Sequence, residues 1–243
     1  MTILQPQVSV SIVIPVFNEE KMLESAVTDL RARLASLGRS CEIILAENGS
    51  RDGTREVARR LEHNFPDVRV LNIPEPNYGK ALRQGIVAAQ GTWVICDEID
   101  LCDTDFYRAA LEILTMDQAD LVVGSKLLGD SHDERPWIRH AASLAYTALL
   151  RALLGFRGTD THGAKAFVRT RLEPIARACL VDKDVFSSEF VIRAYRSGAR
   201  VTEIPVRIAE KRPPSINLFK RVPNVLRNLV RLTWAIRSDA NDR

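Results

Sequence analysis

The chain has no Cys-x-x-Cys pair, and its four histidines show no zinc-ligand spacing. Cys41, Cys96, Cys102 and Cys179 lie far apart except for the middle two. A disulfide scaffold or structural zinc site is therefore not expected, and reduced thiols are. Long apolar runs are missing too. No stretch reaches the ~18 uninterrupted apolar residues of a membrane span. The nearest approach, Ala141 to Phe156, is broken by Arg151 and reads as a core or interfacial helix. The opening Met-Thr-Ile-Leu-Gln-Pro lacks the basic start and apolar stretch of a signal peptide. The expectation is a chain that does not cross a membrane but can touch one. Excess charge of one sign is also absent: 34 Lys and Arg against 31 Asp and Glu leave +3, which argues for neither a nucleic-acid coat nor an acidic tail. There is no Gly-x-Gly-x-x-Gly after the first strand and no Gly-x-x-x-x-Gly-Lys-Ser/Thr, which disfavours a dinucleotide oxidoreductase and a P-loop NTPase.

What remains is an ordinary globular composition, 46% hydrophobic and 27% charged over 243 residues, enough for one large domain or one and a half. Val8 to Val16 is a short β-branched run, and Glu19 to Leu37 follows with helical spacing up to Gly38. Strand-like Cys41 to Ala46, Val68 to Ile73, Trp93 to Cys96 and Leu121 to Gly124 then alternate with helical Thr54 to Asn64, Lys80 to Ala89 and Thr104 to Met116. Such alternation predicts βαβ crossovers and a mostly parallel central sheet flanked by helices on both faces. After Gly124 longer helices (Ile138 to Leu154, Arg171 to Leu180, Phe186 to Ser197) enclose strands near Lys165 to Val168 and Arg200 to Val206.

In an open α/β sheet, ligands bind beyond the carboxyl ends of the strands. Polar clusters fall at those ends: Asn18-Glu19-Glu20, Glu47-Asn48-Gly49-Ser50, Asn77-Tyr78-Gly79-Lys80 and Asp97-Glu98-Ile99-Asp100. Any one of them reads as a solvated turn; four on one rim predict a site. Carboxylates on one tight loop suit Mg²⁺ or Mn²⁺, which takes one or two of them together with substrate phosphate oxygens. A cation clamped on a diphosphate stabilises a departing nucleoside diphosphate.

Ser11-Ile12-Val13-Ile14-Pro15-Val16-Phe17-Asn18-Glu19-Glu20, Glu47 to Thr54, and Asn77-Tyr78-Gly79-Lys80 with Gly85 resemble the family 2 glycosyltransferases of GT-A fold. Gly124-Ser125-Lys126 and the Asp160-Thr161-His162-Gly163 turn resemble the polyprenyl-phosphate (dolichyl-phosphate) mannosyltransferase-like branch. The resemblance runs from about Val8 to Arg207 and implies a nucleotide-diphospho-sugar donor, a divalent metal and inverting transfer. Pro15, Phe17, Asn18 and Glu19 match the stretch that cradles base and ribose. Glu47 and Asn48 stand where the family usually has two Asp, and Gly49, Tyr78, Gly79, Lys80 and Asp97 complete the expected donor site. Glu98-Ile99-Asp100 matches the Asp-x-Asp metal motif with Glu replacing its first Asp, so Glu98 and Asp100 are the expected metal ligands. Cys102 falls where many relatives carry a Gln, and Lys126 replaces the Arg of their Gly-Ser-Arg. The change of rhythm after Gly124 divides a domain of residues 1–210 into a nucleotide-sugar half, 1–125, and an acceptor half, 126–210, and 211–243 reads as a C-terminal basic amphipathic helical segment.

A hydroxyl acceptor needs a positioned base, whereas a phosphate monoester is already anionic and needs cations instead. Lys126, Arg135 and Arg139 sit where the resembling enzymes grip phosphate, each of them alone reading equally as part of a solvated basic loop. Asp160 is the candidate for sugar binding, or for the base if the acceptor is an alcohol; Asp100, Asp160, Lys126 and Arg139 make up the expected catalytic set. From Lys211 to Arg237 there are seven cations and no acid, interleaved with Leu218, Phe219, Leu226, Leu229, Leu232, Trp234 and Ile236 near helical spacing. That pattern suits an anionic membrane surface, or else a helix packed on the sheet; aromatics are too sparse for nucleic acid. The expectation is a metal-dependent hexosyltransferase, peripherally associated with the cytoplasmic membrane face. It would use GDP-mannose as first guess and polyprenyl phosphate as acceptor. The alternatives are a soluble or glycan hydroxyl acceptor, or a nucleotide-sugar-binding partner protein with little catalysis.

Overall fold

Strands whose side chains are apolar on both faces have to be covered from both sides, and the computed structural model shows that arrangement. It describes residues 8–129, 131–133, 137–208 and 227–237. β1 (Val10–Val16) is buried along its whole length and pairs in parallel with β2 (Cys41–Asn48) and, on its other side, with β4 (Trp93–Cys96), while β3 (Val68–Ile73) continues the sheet beyond β2. Because side chains alternate along a strand, Ile12 and Ile14 pack under α1 (Leu23–Leu34), α2 (Thr54–Asn64) and α4 (Thr104–Thr115). Val13, between them, faces α3 (Tyr78–Ala88) on the opposite side.

The second half continues the sheet through β5 (Leu121–Ser125), β7 (Lys165–Val168) and β8 (Val201–Pro205), giving the order β3-β2-β1-β4-β7-β5-β8. β7 runs antiparallel to both neighbours, with Cys96 opposite Lys165 and Val123 opposite Lys165. Reversal has one consequence for the site: the amino end of β7 lies at the same edge as the carboxyl ends of β4 and β5. A Cβ at Gly163 would overlap the carbonyl oxygen of Gly124, so that only glycine lets the chain enter β7 this close to β5. α5 (Trp137–Leu154), α6 (Arg169–Ala178) and α7 (Phe186–Arg196) join α3 on its face of the sheet.

Several boundaries differ from the sequence reading. The first helix begins at Leu23 rather than Glu19, because the backbone amides of Asn18 and Glu19 donate to Ser50 Oγ and Thr54 Oγ1 across the edge. α3 begins at Tyr78, two residues early, because the Asn77 side chain caps it by accepting from Lys80 N. A two-residue parallel pair, β6 (His132–Asp133) with β9 (Arg207–Ile208), is too short to carry a sequence signal. Most of the basic C-terminal segment, residues 209–226, lies outside the described residues. Helix 227–237 is described, and it places Leu229, Leu232 and Ile236 in the core layer with α5 and α7. Of the two readings, lipid-facing or packed on the protein, these three side chains take the second.

Candidate active site

At the carboxyl ends of β1 and β2 the polar residues mostly hold one another. Asn18 adopts φ 56°, and its Oδ1 accepts from Arg51 N at 2.8 Å. Glu47 is fully buried; its Oε1 accepts from Ser50 N at 2.6 Å and its Oε2 from Arg55 Nε at 3.2 Å. Asn48 Nδ2 donates to Val16 O at 3.1 Å, and Pro15 is buried within β1. The Asn77 carboxamide accepts from Lys183 N as well as Lys80 N, Gly79 packs under the Lys183 carbonyl, Gly49 (φ 74°) turns against the Glu75–Pro76 backbone, and Lys80 pairs with Glu75 at 2.6 Å. Glu47, Asn48 and Gly79 thus shape the edge from within. Phe17 and Tyr78 present exposed aromatic rings there, and Glu19 is half-buried beside them.

Beyond β4 burial alternates: Asp97 and Ile99 point inward, Glu98 is exposed and Asp100 half-buried. Asp97 accepts from Glu98 N (2.8 Å), Asp103 N (3.1 Å) and the Tyr107 hydroxyl (2.9 Å). Burial raises its pKa to about 7 against the pull of those donors. Its oxygens are turned into the protein, so a position expected to meet the donor is an anchor of the loop. Glu98 is exposed at this edge, with protein packed close around it. That crowding raises its pKa, the charge of Asp100 raises it further, and Lys165, Lys126 and a hydrogen bond from Tyr78 oppose the rise. Two carboxylates that repel on the solvent side of one loop are a fitting donor set for a hard divalent cation. Among the described residues no group of three or more His, Cys, Asp or Glu could hold a metal, so a cation here would draw its other ligands from phosphate or water.

The second half supplies cations. Lys126, immediately after β5, is buried and pairs with Asp160 Oδ2 at 3.0 Å. Asp160 Oδ1 accepts from His162 N, and Glu203 of β8 pins the turn by accepting from Thr159 N at 2.7 Å. Burial works to raise the Asp160 pKa; the charge of Lys126, helped by His162, outweighs it and holds the group below the usual carboxylate range. Lys165 is the residue that sequence reasoning missed. It is buried, donates to Gly163 O at 2.8 Å and lies close enough to Asp160 and Glu98 to feel their charge, while burial lowers its pKa. A lysine opening the apolar strand Lys-Ala-Phe-Val was the available signal. Arg139 lies in the first turn of α5, and Arg135 falls outside the described residues.

Residues 11–173, from β1 into α6, match the model of a family described as glycosyl transferase family 2. The chain belongs to this family. The glycosyltransferase AglD of Haloferax volcanii is 29% identical over 234 residues, covering 94% of this chain and 38% of its own length. A dolichyl-phosphate beta-glucosyltransferase of Trichomonas vaginalis is 30% identical over 218 residues, covering 83% of this chain and 66% of its own. The corresponding Drosophila melanogaster protein is 28% identical over 224 residues, with 84% and 68% covered. This family 2 chain therefore spans about two fifths of the first relative and about two thirds of the others. Among solved structures, glucosyl-3-phosphoglycerate synthase of Mycobacterium tuberculosis, in complex with Mn²⁺, UDP and glucosyl-3-phosphoglycerate, superposes with TM-score 0.59 at 19% identity, over 94% of this chain and 79% of that one. A second mycobacterial protein superposes with TM-score 0.63 at 22% identity, over 94% and 74%. The shared architecture is the GT-A fold.

Proposed function

We propose that the chain transfers glucose from UDP-glucose to a polyprenyl phosphate. The observation that carries this reading is the meeting, at one edge of the sheet, of the outward carboxylates Glu98 and Asp100 with the buried Lys126–Asp160 pair and Lys165. The donor assignment revises the expectation of GDP-mannose, because the dolichyl-phosphate transferases that match are named glucosyltransferases and the superposing synthase binds UDP.

Phe17 and Tyr78 offer flat apolar faces to the donor, and the hydrogen-bonded Asn18 and Glu47 loops brace that end of the sheet. Glu98 and Asp100 are the residues that would hold Mg²⁺ or Mn²⁺, which neutralises charge on the leaving diphosphate. An acceptor phosphate oxygen attacks the anomeric carbon opposite the diphosphate; the new carbon–oxygen bond forms as the bond to UDP breaks, and configuration inverts. The acceptor is already anionic, so no protein base is required. Lys126 supplies the cation that draws the phosphate in, and Asp160 orients Lys126 and accepts from a sugar hydroxyl. Lys165 lies beneath both carboxylate sets and limits their mutual repulsion.

The test is product formation from UDP-glucose and Mn²⁺ with a polyprenyl phosphate, with the matching polyprenol, and with soluble alcohols as acceptors. A glucosyl phosphodiester formed from the phosphate alone supports the assignment. Transfer to alcohols only, or no transfer to any acceptor, contradicts it.

A further inference from the structure

Helices on the surface of a water-soluble domain normally turn charged residues outward. α5 does not. Its outward positions are Leu144, Leu149 and Leu153 interspersed with alanines; Arg151 is exposed among them, and Arg139 lies in the first turn. Leu144 is 49% exposed, and on helix 227–237 Val230 is 70% and Trp234 69% exposed. The two helices belong to one surface: Arg196 donates from Nη2 to Leu154 O and from Nη1 to Ile236 O, tying their carboxyl ends together, and Leu150 and Leu154 share a core layer with Leu232 and Ile236. Exposed apolar residues gathered on two adjoining helices mark an interaction site.

Charge identifies the occupant. No acid occurs from Trp137 to Thr159 or within 227–237, whereas Arg151, Arg157, Arg227, Arg231 and Arg237 are all exposed. The helices on the other face of the sheet each expose acids, among them Glu24 on α1, Glu62 on α2 and Asp105 on α4. Leucines and a tryptophan rimmed by arginines, with no acid along either helix, complement an anionic lipid surface.

We propose that the outward face of α5, extended by Val230 and Trp234, seats the protein on an anionic bilayer and so delivers the acceptor's phosphate to the site. The second clause rests on the polyprenyl-phosphate reading. It is supported by contact: Thr147 of α5 donates to Thr159 O at 3.0 Å, Arg151 donates to Gly158 O at 2.9 Å, and the Tyr146 ring meets His162 edge-on at 5.4 Å. The turn that carries Asp160 is therefore built directly on the docking helix. A lipid phosphate at the bilayer surface next to α5 needs only to cross that turn to reach Lys126.

The experiment uses the full chain and vesicles of phosphatidylcholine with or without 30% phosphatidylserine, in flotation and by Trp fluorescence. The wild type is expected to bind the anionic vesicles, and the Leu144→Gln/Leu149→Gln/Leu153→Gln variant to bind about 100-fold more weakly, since each exchange removes a buried leucine from the lipid contact. Exposed positions leave the fold intact, checked by an unchanged Tm. Transfer to a short, water-soluble prenyl phosphate is expected to survive in the variant while transfer to a vesicle-borne acceptor falls. Unchanged vesicle binding by the variant overturns the surface, as does a wild-type dimer that ignores vesicles and becomes monomeric on the triple exchange. Vesicle binding that depends on the leucines, without transfer to either acceptor, keeps the docking surface and overturns the proposed reaction alone.

Discussion

At the level of single residues, the site is a balance between carboxylates that repel and lysines that relieve them. Lys165 lowers the pKa of Glu98, which burial and Asp100 raise. Removing that positive charge must therefore raise the Glu98 pKa further, and the acidic limb of kcat/KM, which needs ionised Glu98, must move to higher pH. Lys165→Met is expected to show this displacement together with a lowered Tm, because removing one cation leaves the neighbouring carboxylates less compensated. An unmoved limb in the pH–rate profile would separate Lys165 from Glu98. Lys126→Met is expected to raise the acceptor KM roughly tenfold to a hundredfold, the range of one hydrogen bond to a charged group, and to leave the donor KM unchanged. Residue roles were the least legible part of the sequence. The exposure of Glu98 and partial exposure of Asp100 accord with the motif reading, on which the proposed metal site rests. Asp97 and Glu47 are carboxylates of the same sequence character, yet the structure gives their oxygens to backbone amides, Tyr107 and Arg55. Only the third dimension distinguishes a loop anchor from a ligand.

Elements were more legible, because periodicity is local. The β-branched runs and the 3.6-residue spacing located nearly every strand and helix, and the errors came at the ends: the distant Ser50 and Thr54 act on the start of α1, and the Asn77 cap on the start of α3. The junction of β5, α6 and β8 is another long-range construction. Asp120 is buried, receives Arg200 N at 2.8 Å and Arg200 Nη2 at 2.9 Å, and also pairs with Arg171. Hydrogen bonds from Arg200 hold its pKa well below the usual carboxylate range despite burial. A depressed folded pKa stabilises above the unfolded value and is lost as pH falls through the folded one. Asp120→Asn is thus expected to cost about 1–2 kcal/mol at neutral pH, discounted because both arginines are half-exposed, and the gap in Tm should close as the pH falls below about 4. A pH-independent gap would show that the charge is immaterial. For helix 227–237, Leu232→Ala is expected to cost about 2–4 kcal/mol in urea unfolding, since Leu232 is fully buried. A loss below about 0.5 kcal/mol would mean the helix is not part of the cooperative core.

Across the whole molecule, the antiparallel strand β7 joins β4 of the first half to β5 of the second. It places Lys165 beside the acidic loop and Asp160 beside Lys126, although those residues are far apart in the chain. The parallel half and its rim could be inferred from strand-end chemistry alone. The direction of β7 and the apolar outward face of α5 could not, because a leucine-rich helix reads the same whether its far side meets protein, lipid or water. All the proposed chemistry depends on a nucleoside diphosphate seated at the sheet's carboxyl edge through a cation on Glu98 and Asp100. That can be measured without acceptor, membrane or turnover, by calorimetric titration of UDP and GDP into the chain with and without Mn²⁺, and into Asp100→Asn. UDP is expected to bind in preference to GDP, with affinity raised at least tenfold by Mn²⁺ in the wild type, about 1.4 kcal/mol, and with that enhancement lost in the variant. UDP binding that is indifferent to Mn²⁺, or an enhancement that survives Asp100→Asn, would contradict the site described.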